Sequence, residues 1–530
     1  MGQMSGRPWW ALAVGLLLTT LLYTFGLDRG PAYVGGDEAH FVSHAYSIAQ
    51  TGRDLNGTRL PLFIKITDLL VPNNSSQIWY QPFLFYLLAI DFRILPVSEW
   101  SARLPTTLIA VLNVWLVYLI GRRLFSDARF ALVAAAMLAL TPAHFIMSRQ
   151  ALDYICPLPF VLGWTLAVLH YLETRRPASL IAGALLLGLG AYSYISSWVV
   201  MPFLAAIMLL LTRPPVPLAA AAAATFAAPM MLVVLWLWRQ PQMLTDTLVR
   251  YRLGGGDPGG GNVVQAAANF NLAERLTVYW DYFNPSFLFF AGGSNPTMAT
   301  GRAGVFLLSI AVFLAAGLYA LGRRRSRADI LLLLVFIAAP LPIVLTMPDA
   351  PTYSIARAFT LVPFGILIAA AGCEWIYEQR GWWPKAGAVA LLLLMPLQFG
   401  VFARDYFTDY QARSSPRLDP VAIRDVLPQV VALDASVPAP QILFSDDLDD
   451  KSVRWRFYSL KHGREDLWTR ARYFNPDQFD HTTVPPNSLM VVYANDPRID
   501  RLIATGYCVK VAEVTSVGGE RAAAILRRVE

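Results

Sequence analysis

The chain has 530 residues, 56% of them hydrophobic and only 15% charged, and its 43 Lys+Arg against 36 Asp+Glu leave a net charge of +7. Soluble domains carry about 25% charged residues; with a mean hydropathy of +0.46, an ordinary cytosolic enzyme, a disordered chain and a disulfide scaffold are all excluded. The positive balance does not point to nucleic acid, because the basic residues sit in short clusters between apolar runs, as the positive-inside rule places them.

A basic head with Arg7 precedes the apolar stretch Trp9–Phe25. No small-residue cleavage site follows it, so an uncleaved first helix is expected. Further runs near the ~20 residues that a bilayer requires lie at 104–121, 128–146, 154–172, 178–193, 195–212, 216–238, 302–321, 328–347, 357–377 and 384–402. An odd count, eleven, puts the termini on opposite sides. Arg122, Arg123, Arg175, Arg176, Arg213, Arg323–Arg325, Arg327, Arg380 and Lys385 share the side of Arg7, which is therefore expected to be cytoplasmic.

The expected fold class is a polytopic α-helical membrane protein of about eleven transmembrane helices with a C-terminal soluble α/β domain. Residues 1–403 form the membrane module, with outer loops at 27–103 and 239–301, and residues 404–530 the extracytoplasmic domain. In the first loop, Ile78–Leu95 reads as an interfacial helix. In the second, Gly254–Gly261 suits a mobile lid or a plain connection. Short apolar runs at Gln441–Phe444, Leu489–Tyr493 and Cys508–Val514 interrupt a charged C-terminal region. Cys156, Cys373 and Cys508 are too scattered for a disulfide framework or a metal knuckle.

Five groups of residues can carry chemistry. Gly35-Gly36-Asp37-Glu38 sets two carboxylates after a flexible turn at a membrane edge, where such charges are costly unless solvated, paired or used. Asp37 can take a proton from an attacking hydroxyl, or it can cap the helix Ala39–Gln50; spacing alone favours the cap. His40 and His44, at i,i+4, share a helical face and with Glu38 can ligate a divalent metal, although two surface histidines are the commoner meaning. Arg149 and Asp153, in the turn between the third and fourth spans, either pair with each other or face the cavity of Asp37. The aromatic run from Tyr282 and Asn284 to Phe290 suits insertion near a lipid ligand or a simple anchoring belt. Arg357 follows Pro348–Tyr353 at the outer start of a span, where it can fork onto a phosphate or snorkel.

The order of these features is more specific than any one of them. The acidic pair is followed by Trp79-Tyr80-Gln81-Pro82-Phe83-Leu84-Phe85-Tyr86, by Val97–Pro105, and by a span ending in Gly121-Arg122-Arg123-Leu124-Phe125. This run resembles the integral-membrane GT-C glycosyltransferases that depend on polyprenyl phosphate, including protein O-mannosyltransferases and lipid A aminoarabinose transferases. Tyr282–Pro296 and Arg357–Pro363 extend the likeness over most of residues 27–400. The resemblance implies a polyprenyl-phosphate-linked sugar donor, a glycan, lipid or protein acceptor bearing a hydroxyl, and inverting transfer on the outer face of a bacterial-type inner membrane. It implies catalytic roles for Asp37, Glu38 and Asp153, and donor phosphate or lipid contacts for Arg357, Arg149, Tyr80, Gln81, Tyr282 and Asn284. A divalent metal held near His40 and His44 would be an addition to that pattern. Two departures stand out: Gln81 where many relatives have Lys, and Phe359-Thr360 where many carry a tyrosine. The competing classes are a transporter or flippase of lipid-linked sugars, disfavoured by the scarcity of ionisable residues within the spans, and a non-catalytic scaffold.

Overall fold

In the computed structural model the described residues are 9–66, 78–250, 272–346, 354–445, 448, 451–478 and 480–529; Arg7, Gly254–Gly261 and Pro348–Tyr353 lie outside them. Helix α1 (Trp9–Thr24) matches the first apolar stretch. Helix α2 (Gly36–Thr51) starts at Gly35 and stops at Gly52, whose φ of 68° is the left-handed conformation glycine adopts without strain. The short strands β1 (Ile64–Ile66) and β2 (Ile78–Tyr80) pair antiparallel. Pro82 then opens α3 (Pro82–Asp91), its fixed φ suited to a first helical position. Ile78–Leu95 is thus a strand and a ten-residue helix rather than one interfacial helix, because Pro82 cannot sit inside a helix begun at Ile78.

Helix α4 (Glu99–Leu124) is started by a capping box between Ser98 and Ser101. Beyond it, α5 (Ala128–Ala139) and α6 (Pro142–Ser148) meet at a 61° bend where Thr141-Pro142 breaks the 128–146 run. Among the described residues, six helices are long and apolar enough to cross a membrane, and seven if this bent pair is one span. The expected eleven overcounts on that criterion, because hydropathy registers apolar residues whether or not one helix joins them. The runs at 178–193 and 195–212 are the short helices Pro177–Gly190 and Ser197–Thr212, separated by turns. The run at 302–321 enters its helix only at Leu308. Helices Leu308–Arg324 and Leu361–Glu378 cross where Gly317 and Gly372 remove side chains; a Cβ at either would strike the other backbone.

All three C-terminal apolar runs become strands. The sheet order is β4 (Ala471–Phe474), β3 (Ile442–Ser445), β5 (Leu489–Tyr493), β7 (Arg521–Arg528), β6 (Cys508–Thr515). The pairs β3–β4 and β3–β5 are parallel, and the other two are antiparallel. Alternation decides the two faces. Leu489, Val491 and Ile525 join the core shared with the helices, while Met490, Val492 and Leu526 pack with Ile499 and Leu502. The first loop is tied to this region. The Tyr33 hydroxyl donates to Asp425 Oδ2 (2.7 Å) and accepts from the Val517 N–H (2.9 Å), and Arg424 donates to the Ala32 carbonyl (2.7 Å). The three cysteines are free and buried.

Candidate active site

Helix α2 delivers the acidic pair to two different environments, because consecutive helical residues diverge by about 100°. Glu38 turns inward and is 2% exposed. Its Oε1 accepts from Arg103 Nε (2.8 Å) and from the Ala151 N–H (2.9 Å), and its Oε2 from Arg103 Nη2 (3.2 Å). Arg103, fully buried, spends its remaining donors on the carbonyls of Leu27, Pro31 and Tyr33. One guanidinium therefore fixes the loop that carries the acidic pair, the first turn of α2, and through Glu38 the turn before Asp153.

Asp37 is exposed to a cavity of about 430 Å³ that Gly35, Gln150, Tyr154, Asn295, Arg417 and Arg454 help to line. It does not cap α2: Gly35 holds the cap position and no side chain bonds the free N–H groups there. Instead Asp37 Oδ1 accepts from the Tyr80 hydroxyl at 2.6 Å. Burial and the Asp37 charge push the Tyr80 hydroxyl well above its usual range, so it stays protonated and donates.

Asp153 begins a short turn ahead of the helix Leu158–Thr174. It is buried, and neither carboxylate oxygen has a hydrogen-bond partner among the described residues. It lies within electrostatic reach of Asp37 and Tyr80. Tyr154 lies within electrostatic reach of Asp37, Asp153 and the half-buried Arg357, although Arg357 does not line the cavity of Asp37. Arg357 sits in the turn Ile355–Ala358, opened by Ser354. Buried Tyr282 braces that turn, donating to the Ser354 carbonyl at 3.0 Å.

Other sequence candidates fall elsewhere. Arg149 donates to the carbonyls of Tyr23, Gly26 and Gly30, and its guanidinium lies over Phe145, Tyr406 and Phe407. It pairs with neither Asp153 nor the cavity. Asn284 is exposed and closes a local turn onto the Ser286 N–H (2.9 Å). Gln81 is buried at the start of α3, with its Nε2 unpartnered. The rings of His40 and His44 lie 6.4 Å apart; burial holds His44 well below the usual imidazole value. Among the described residues no three His, Cys, Asp or Glu side chains converge as a metal would need. Arg103, Tyr154, Arg417 and Arg454 were not singled out as candidates from the sequence. Only Arg103 carried a signal, a charge at the edge of an apolar span.

This geometry can hold a hydroxyl beside Asp37 and an anion near Arg357. Residues 80–238 match the family model described as dolichyl-phosphate-mannose-protein mannosyltransferase. The fold is similar to that of ArnT from Cupriavidus metallidurans bound to undecaprenyl phosphate, with a TM-score of 0.58 at 13% identity over 98% of each chain. It is also similar to the archaeal oligosaccharyltransferase AglB from Archaeoglobus fulgidus in complex with an inhibitory peptide and a dolichol-phosphate. There the TM-score is 0.52 at 15% identity, over 90% of this chain and 66% of that one. No curated protein matches the sequence. The fold is that of multi-pass membrane proteins of the GT-C class, and the matched segment is similar to the mannosyltransferase family model over residues 80–238. Both of these neighbours are described with a polyprenyl phosphate bound.

Proposed function

We propose that the chain moves a sugar from a polyprenyl-phosphate-linked donor to a hydroxyl acceptor on the outer face of the membrane, with inversion at the anomeric carbon. The observation that carries this reading is Asp37, held by Tyr80 and open to a cavity lined by Tyr154, with Arg357 within electrostatic reach of Tyr154. The acceptor hydroxyl gives its proton to Asp37 while its oxygen bonds to the anomeric carbon. The bond from that carbon to the phosphate oxygen breaks, and its electron pair leaves with the polyprenyl phosphate, whose charge Arg357 stabilises. Asp153, whose buried carboxylate oxygens have no hydrogen-bond partner among the described residues, accepts hydroxyls of the donor sugar in this reading. Glu38, saturated by Arg103 and Ala151, positions Asp37 and takes no proton. Among the described residues no group of three His, Cys, Asp or Glu includes Asp37 and Asp153, and the transfer is assigned to side chains alone.

The direct test is sugar transfer by the purified protein from a polyprenyl-phosphate sugar, with the product anomer read by NMR. A retained anomer would overturn the single displacement. Movement of the lipid-linked sugar across proteoliposomes without cleavage would favour the flippase. Arg357→Ala should raise the donor KM and leave the acceptor KM near its original value, and Arg357→Lys should recover part, since it lacks the planar fork. Unchanged donor KM in both variants would remove Arg357 from the phosphate site.

Orientation belongs to the same proposal: N-terminus in the cytoplasm, C-terminal region outside. Reporter fusions after Arg325 and after Glu530 should report opposite sides. Two cytoplasmic signals would put the cavity on the wrong face.

A further inference from the structure

The helix Trp383–Phe407 carries no charge between Lys385 and Arg404, so Arg404 and Asp405 mark where its apolar length ends. A second cavity, about 780 Å³, opens at that level and shares no lining residue with the cavity of Asp37. Its apolar part is made by Phe289, Phe306, Leu308, Val401 and Phe402. Leu308 is 49% and Val401 72% exposed, a surface that in a bilayer meets acyl chains. Its polar part holds two cations and two anions, Arg302, Arg404, Asp405 and Asp409. Arg302 Nη1 donates to Asp405 Oδ1 (2.9 Å) and Asp409 Oδ2 (2.8 Å), and Arg413 holds Asp405 from the other side (2.8 Å). Arg404 stands outside this network, exposed at its edge.

Charges of both signs above an apolar floor complement an amphiphile whose head is itself zwitterionic. A purely anionic head would satisfy the arginines but face Asp405 and Asp409, and a neutral head would use neither pair. We propose that this groove binds one phospholipid with an amine-bearing zwitterionic headgroup. Its phosphate lies against Arg404 and Arg302, its ammonium against Asp409, and an acyl chain along Val401 and Phe402. The site is separate from sugar transfer and stands or falls on its own.

Native mass spectrometry of the full chain, released from micelles containing equimolar phosphatidylethanolamine and phosphatidylglycerol, tests this. One phosphatidylethanolamine per chain should be retained, about tenfold over phosphatidylglycerol. Arg404→Ala, which breaks no ion pair of the network, should cut retention about tenfold, the equivalent of ~1.4 kcal/mol. Val401→Trp, which fills the apolar part, should displace the lipid while leaving the charges in place. Equal retention of the two lipids, a preference for phosphatidylglycerol, or undiminished retention in both variants would overturn the proposal.

Discussion

Asp37→Asn should lower the rate of sugar transfer by about 10²–10⁴, the usual cost of losing a general base, with the melting temperature unchanged. The substitution keeps the shape and the Tyr80 hydrogen bond, since the Asn carbonyl oxygen accepts where Oδ1 did. It removes the capacity to take a proton. A capping role would give the opposite outcome, a stability loss of about 1 kcal/mol with turnover intact, but Gly35 already occupies the cap. Tyr80→Phe should cost less, about tenfold in rate, because it frees the base to rotate without abolishing it. If the purified Asn variant melts normally and transfers sugar at close to the original rate, Asp37 is not the base, and the unpartnered Asp153 becomes the next carboxylate to test.

The second large effect is expected at Arg103. Arg103→Ala would leave the Glu38 carboxylate buried and unpaired and the carbonyls of Leu27, Pro31 and Tyr33 without donors. Removing one member of a buried ion pair costs about 3–5 kcal/mol, so the detergent-purified variant should melt well below the original chain or fail to accumulate. Combining it with Glu38→Gln should recover part of the loss, because the uncompensated charge goes while the orphaned carbonyls remain. An Arg103→Ala protein with unaltered melting and activity would mean that the loop holds its shape without this guanidinium.

These two residues also mark the limit of what the sequence can tell. The turn before Asp37 was legible because its signals are local, paired glycines and a helix start, but the cap that spacing favoured for Asp37 belongs to Gly35. Glu38 looked like the twin of Asp37, yet its role depends on a partner 65 positions away in α4, and linear spacing carries no information about that. Arg149 misled for a related reason. Its i,i+4 distance to Asp153 suggests a helical pair, but the chain leaves the helix at Ser148 and the guanidinium turns to carbonyls of residues 23–30. The C-terminal strands were readable from brief apolar runs in charged surroundings, since a strand shows its period within five residues. The spans were readable as apolar content but not as a helix count, because a proline bend or a break of a few residues hardly alters hydropathy.

The clamp on Tyr33 has a consequence for the order in which the protein is made. Tyr33 and Ala32 emerge from the ribosome 392 or more positions ahead of the groups that hold them, which are Arg424, Asp425 and Val517. The loop that presents Asp37 therefore cannot make these contacts until the chain has been synthesised past Val517. A ribosome halted before residue 424 would leave helices already in the membrane while the turn that carries Asp37 still lacked these partners, so the cavity beside Asp37 would take its final form only after the helices had been inserted.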